Sequence, residues 1–222
     1  MNILQELEDF INEFNQDNNA DFEIDSIRVE FQKQYKQEEL KKLGNWNKIK
    51  KNSNILHKLK KRLSDDEVTS AWRLEDHNIY YYNIQDKPKY RKAELVIFGM
   101  KQYHKEPPPR ELISKILSIL KTVSNIDICL DLPYKPNLEA LSKHFTLKPY
   151  ITKDGVVTDT SYINDTAIPM LEKITIYNKA DKNNLKGILW RAEAKISIPN
   201  FKALALPLHD FKEIIDMAKE SR

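Results

Sequence analysis

The sequence predicts an α+β protein: a largely antiparallel sheet with helices packed on one face. Three observations carry this. Ile126-Asp127-Ile128-Cys129-Leu130-Asp131-Leu132 alternates apolar and polar residues without a fault. A period of two is the signature of a strand with one buried face. Two later stretches repeat it. In Lys173–Lys179, Ile174 and Ile176 oppose Thr175, Tyr177 and Lys179; in Trp190–Ile198, Arg191, Glu193 and Lys195 oppose Ala192, Ala194, Ile196 and Ile198. Between and around these strands, several stretches carry apolar residues at helical spacing instead.

The elements follow in order. Ile3, Leu4, Leu7, Phe10, Ile11 and Phe14 fit a 3.6-residue period and predict an amphipathic helix, with a polar break over Asn15–Asp21. Ile27, Val29 and Phe31 mark a first strand over Ile24–Phe31. Gln37–Leu43 is a short helix, broken at Gly44 and Asn45. Ser64-Asp65-Asp66-Glu67 reads as a capping box opening a helix through Val68, Ala71 and Trp72. Ile79–Ile84 and Ala93–Lys105 read as a hairpin, its second strand ending at His104. Pro107-Pro108-Pro109 closes that strand and starts a helix over Arg110–Val123. Asn137–Phe145 is a further short helix, and Tyr150–Asp165 is irregular and polar. A Lys/Asn-rich turn at Lys182–Gly187 separates the last two strands, and a C-terminal helix runs from about Leu208 to Glu220. With no repeat and no clean linker, the chain is expected to be one domain over 1–222. Residues 1–22 form an acidic helix and linker, 23–200 the sheet core and 206–222 the C-terminal helix.

Composition bounds the function. The chain has 222 residues, of which 41% are hydrophobic and 31% charged, enough for a sizeable core in a soluble protein. No apolar run reaches membrane-spanning length, and the acidic Met1–Phe14 has none of the features of a signal peptide. The single cysteine, Cys129, cannot form an internal disulfide, so a reducing, cytoplasmic setting is expected. With four glycines there is no glycine-rich phosphate loop. The net charge of +3 is unevenly spread. Met1–Asp25 holds no Lys or Arg, whereas Lys41–Arg62 holds Lys48, Lys50, Lys51, Lys58, Lys60, Lys61 and Arg62 among its cations and no acid. Such a block suggests a nucleic-acid surface, although a solvated face of a lysine-rich protein has the same composition. Trp46 within it could stack on a base; plugging the core is the simpler role.

The polar faces of the three alternating strands, if these lie in one sheet, form a plate of acids, bases and phenols. An antiparallel sheet normally has one wet face, so one such strand alone needs no function; the combination suggests chemistry. Asp127, Asp131 and Glu193 could hold a divalent cation, Mg²⁺ or Mn²⁺, with His104 adding a nitrogen ligand. Tyr162 or Tyr177 could attack phosphorus, and Lys179, Arg191 and Lys195 could face phosphates. His57, His77, His144 and His209 are isolated and read as structural or surface residues.

The order of pieces resembles the replication initiators of rolling-circle plasmids, the Rep_trans type, and their filamentous-phage relatives. The resemblance rests on Asp25–Phe31, on Leu95-Val96-Ile97-Phe98-Gly99-Met100, on Ile126–Leu132, and on Ile174-Thr175-Ile176-Tyr177-Asn178-Lys179 followed by Trp190-Arg191-Ala192-Glu193. It spans roughly 25–198. The resemblance implies a metal-dependent, HUH-like nicking endonuclease on a Rep-like fold. Such an enzyme acts on single-stranded or hairpin origin DNA through a tyrosine nucleophile, with a helicase and a homodimer as possible partners. Family position favours Tyr162 as nucleophile over Tyr177. Three departures stand out: no His-hydrophobe-His pair, Asn164-Asp165 after the candidate nucleophile, and one helix after the last strand. They keep open a non-catalytic DNA-binding or copy-control protein on the same scaffold, and, more distantly, a protein that binds another protein through this sheet.

Overall fold

Residues 2–63, 68, 70–83, 92–101, 106–152 and 154–219 are described by a computed structural model, the side chains of residues 61 and 62 excepted. In chain order the elements are α1 (Ile3–Asn18), β1 (Glu23–Gln32), α2 (Lys33–Lys41), β2 (Trp46–Lys48), α3 (Asn54–Leu63), β3 (Ala71–Leu74), β4 (Ile79–Asn83), β5 (Lys92–Ile97), α4 (Arg110–Leu120), β6 (Asn125–Leu132), α5 (Leu138–Ser142), β7 (Lys148–Ile151), β8 (Val157–Ile163), β9 (Leu171–Asn178), α6 (Lys179–Asn183), β10 (Trp190–Ser197) and α7 (Ala205–Met217). The fold class is α+β with antiparallel strand pairing, as the alternation predicts. The residues group into two compact units, 1–6 with 26–124 and 7–25 with 125–222. No described helix is long and apolar enough to cross a membrane.

In the first unit the strands lie in the order β2-β3-β4-β5-β1. Three consecutive tyrosines on β4 point alternately to its two faces, and all three are buried. Tyr80 and Tyr82 join Ile49, Leu56, Leu59, Ala71, Val96 and Phe98 in a core under α3. Tyr81 takes the other face, with the rings of Trp46 and Trp72 each 4.8 Å from its own. Trp46 donates its indole N–H to the Leu40 carbonyl at the end of α2, 2.9 Å away. It is thus a packing residue, as its simpler reading has it. Two expectations fail here. Ala71 and Trp72 lie in a strand, not a helix, because Trp72 pairs with Tyr81 across β3–β4; tertiary pairing overrides the helical signal, and the capping residues 64–67 lie outside the described residues. The second strand of the predicted hairpin also stops early. β5 ends at Ile97, and Gly99 turns the chain with a φ of 69°, a conformation glycine adopts without steric cost. The Arg110 helix stops at Leu120, where Lys121 takes a left-handed φ of 61° and donates its N–H to the Leu117 carbonyl.

In the second unit the order is β6-β10-β9-β8-β7. Ile126, Ile128, Ile174, Ile176, Ala192, Ala194 and Ile196 are fully buried, so the apolar half of each alternation is the core half. α7 packs on β9 and β10, with Leu208, Phe211, Ile214 and Ile215 buried. Phe211 stacks on Phe22 at 5.3 Å, and Phe14 meets both Phe22 and the ring of His209. The α1 helix continues through Asn18 rather than stopping at Phe14. Asn19 ends it with a φ of 47°, and the Asn15 side chain bonds both backbone groups of Phe22. The stretch 150–165 is not irregular: β7 and β8 form a hairpin whose turn holds Gly155 at a φ of 79°.

Candidate functional site

The register of the second unit builds the plate that the alternation anticipates. Asp131 lies opposite Arg191 and Arg191 opposite Tyr177. One step along, Cys129, Glu193, Thr175, Tyr162 and Lys148 form a continuous cross-strand row. A third row holds Asp127, Lys195 and Lys173. Directly opposed residues share a face, so Tyr162 stands on the same face as Tyr177, Glu193 and Asp131.

The centre of this face is an ion-pair network. The Arg191 guanidinium donates to both Asp131 carboxylate oxygens, at 2.6 and 3.1 Å, and lies 3.5 Å from Asp25. The Lys179 ammonium reaches Asp131 at 3.0 Å from the first turn of α6. Arg191 is 2% exposed and Lys179 3%. Burial disfavours the Arg191 charge, but the hydrogen bonds to Asp131 and the coulombic attractions around it together outweigh burial and raise the guanidinium pKa. For Lys179 burial and the neighbouring Arg191 prevail over Asp131, and its ammonium pKa is lowered. Asp25, from the first residues of β1, has no signature in the sequence that would join it to this group.

Tyr177 donates its hydroxyl to Glu193 at 2.6 Å, with the Lys182 ammonium 4.1 Å from its ring centre. Burial, and then the Glu193 charge, push the phenol far above its ordinary value of 10.0. Burial likewise raises Tyr81 to about 12. A raised folded pKa stabilises the protein below the unfolded value, and that stabilisation is lost as pH rises through the folded one. Absorbance at 295 nm should therefore show Tyr81 and Tyr177 still protonated at pH 11 in the native protein, with Tyr177→Phe removing one late-titrating group. All ten tyrosines ionising together near pH 10 in the native state would contradict this.

The other site residues fall as follows. Tyr162 sits within β8, half-buried, with the Lys173 ammonium 4.4 Å from its ring centre and the Tyr150 ring edge-on at 6.4 Å. The sequence reading puts it in an irregular segment; pairing with β7 and β9 makes that segment regular. Lys195 pairs with Glu172 at 2.7 Å. His104 lies outside the described residues. Lys48, Lys50, Lys51 and Lys58 are exposed and Lys60 is half-buried, while the side chains of Lys61 and Arg62 lie outside the description. Lys148 and Tyr150, missed in the sequence, join the face because β7 and β8 extend it, and Lys173 joins it from β9.

Two of the carboxylates that the sequence offers as metal ligands already have partners. Asp131 is wrapped by Arg191 and Lys179, and Glu193 accepts from Tyr177. Among the described residues no three of His, Cys, Asp and Glu are gathered to hold an ion. No family model and no curated protein matches the chain. A solved structure, a rolling circle replication initiator protein from Geobacillus stearothermophilus, is similar over 88% of this chain and 78% of that one. Its TM-score is 0.44 and its identity 13%; a likeness of that size assigns no residue a role.

Proposed function

We propose that the protein binds DNA as a replication-initiator-type factor, holding phosphates on the basic segment 46–62. The observation that carries this is how the segment is built. Ile49, Leu56 and Leu59 anchor it in the core, while Lys48, Lys50, Lys51 and Lys58 are held on the outside, in a run with no carboxylate from Lys41 to Arg62. A row of fixed ammonium groups attracts a polyanion irrespective of its base sequence. The test is fluorescence anisotropy with a labelled origin-like oligonucleotide over a KCl series. Replacing Lys50, Lys51 and Lys58 by Ala should weaken binding and flatten the salt dependence, by roughly 0.7–0.9 in log–log slope for each phosphate no longer neutralised. An unchanged slope would put the segment outside the interface.

A second reading adds strand nicking, with Tyr162 as nucleophile. Its support is a contrast between two tyrosines on one face: each has an ammonium against its ring, but the Tyr177 hydroxyl is committed to Glu193 and burial opposes its ionisation. Mg²⁺ or Mn²⁺, a helicase and a homodimer belong to this reading as proposals. A bound divalent ion would offset phosphate charge; Asp127, Asp131 and Glu193 would hold it only after exchanging their present partners.

A further inference from the structure

On the apolar side of the second unit's sheet lies a cavity of about 260 Å³, and every residue that lines it belongs to that unit. Its floor is apolar: Phe22, Leu132 and Ile215 are fully buried. Leu130 joins them but is only half-buried, although Ile126, Ile128 and Leu132, on the same side of β6 by alternation, are covered. The packing that buries this side therefore stops short of sealing it. The rim is polar, with Asp21, Tyr134, Lys212, Asp216 and Lys219.

Hydrogen bonds hold the walls in place. The Asn137 N–H donates to the Ala218 carbonyl at 2.8 Å, which ties the loop carrying Tyr134 to the end of α7. Asp216 accepts from Lys212 at 2.7 Å and from Lys219 at 2.5 Å. The Tyr134 hydroxyl is shielded from solvent and meets no hydrogen-bond partner among the described residues. Burial raises its pKa, Lys219 opposes the rise and Asp216 adds to it, so the group is a neutral phenol, able to donate or to accept. A buried hydroxyl without a partner carries a desolvation cost that a ligand group of matching chemistry relieves.

We propose that this cavity binds a compact, uncharged molecule: an apolar body of about one ring with a single hydrogen-bonding group that pairs with the Tyr134 hydroxyl. The volume lies just below the roughly 300–1,000 Å³ of sites for drug-sized ligands, so the ligand is small. The apolar floor takes its body. On the rim Lys212 and Lys219 balance Asp21 and Asp216, and Asp216 engages both lysines, so the mouth favours neither an anion nor a cation. The cavity shares no residue with the basic segment 46–62 or with the Asp131–Arg191 network, and the proposal stands whether or not the protein binds DNA.

The experiment titrates the full chain, with its Leu and Ile methyls labelled for NMR, with three probes: p-cresol, p-xylene (the same shape without the hydroxyl) and the anion p-toluate. p-Cresol should shift the Leu130, Leu132 and Ile215 methyls along one saturable curve and leave those of Ile49, Leu56 and Leu59 in place. p-Xylene should bind about tenfold more weakly, since it leaves the buried Tyr134 hydroxyl unpaired. p-Toluate should also bind more weakly than p-cresol. Tyr134→Phe should bind p-cresol and p-xylene within about twofold of each other, because the group that tells them apart is gone. Its thermal midpoint should match or exceed the parent's, as the change removes an unpartnered hydroxyl and no bond. If Tyr134→Phe unfolds instead, the parent's preference for p-cresol over p-xylene at these methyls decides by itself. Four results would overturn the proposal: no saturable shift at these methyls, equal affinity of the parent for p-cresol and p-xylene, p-toluate as the tightest probe, or a p-cresol preference that persists in Tyr134→Phe.

Discussion

Replacement of Arg191 by Ala should lower the stability of the protein by about 4 kcal/mol, the largest single effect expected on the plate. The guanidinium is almost wholly buried, and it supplies Asp131 with two charge-assisted bonds and Asp25 with an ion pair. A buried ion pair adds little over a well-packed apolar replacement, because desolvation cancels most of the attraction. Removing one partner is different: the remaining carboxylates keep their burial and lose the cation that offset it. Asp25 and Asp131 would then repel each other, and Lys179 alone would face Asp131 from the other side. Urea unfolding followed by tryptophan fluorescence measures the loss. A change below about 1 kcal/mol would mean that the network is solvated enough to be a surface feature. Arg191→Lys should recover only part of the loss, because a single ammonium cannot reproduce the fork that engages both Asp131 oxygens.

Tyr162→Phe should abolish any covalent protein–DNA adduct while leaving DNA affinity within about 1 kcal/mol, the worth of one modest hydrogen bond. In the nicking reading the Tyr162 oxygen forms a bond to phosphorus as the bond from phosphorus to the 3′ oxygen breaks. The phenol gives up its proton, and the released strand ends in a 3′ hydroxyl. The phosphotyrosine conserves the energy of the phosphodiester, so the strand can be resealed without a nucleotide cofactor. Attack requires a phenol able to lose its proton. Tyr177 meets that requirement less readily, since burial and the Glu193 carboxylate both raise its pKa. Incubation with labelled single-stranded oligonucleotides, with Mn²⁺, Mg²⁺ or chelator, and a denaturing protein gel provide the readout. An adduct that survives in Tyr162→Phe and disappears in Tyr177→Phe would reverse the assignment. A parent that forms no adduct under any of these conditions would leave DNA binding as the activity.

Much of the plate is legible in the residues alone. β6, β9 and β10 each bury one face, so selection of apolar side chains for that face imprints a period of two on the sequence. The period separates Asp131, Tyr177, Arg191 and Glu193 from the isoleucines without any knowledge of which strands pair. The β7–β8 hairpin carries no such imprint. Val157, Thr158, Asp159 and Thr160 are exposed or half-buried on both faces, and Ile151 is exposed, so burial imposes no alternation there. Pro149, Asp154 and Gly155 add turn signals that mask the strands, although Val, Thr, Tyr and Ile in 157–163 are β-formers by propensity.

Local sequence also determined α1, α4 and α7 with their apolar stripes, and the acid-free basic segment, because these depend on residues within a few positions of one another. Tertiary structure decided what depends on distant partners. It drew Ala71 and Trp72 into a strand opposite Tyr81–Tyr82, and it brought Asp25 to Arg191 across 166 positions of chain. It gave the carboxylates of Asp131 and Glu193 hydrogen-bond donors in Arg191, Lys179 and Tyr177. A side chain's residue type sets which bonds it can make; which of them it does make depends on the partners that folding delivers to it in a site poor in water.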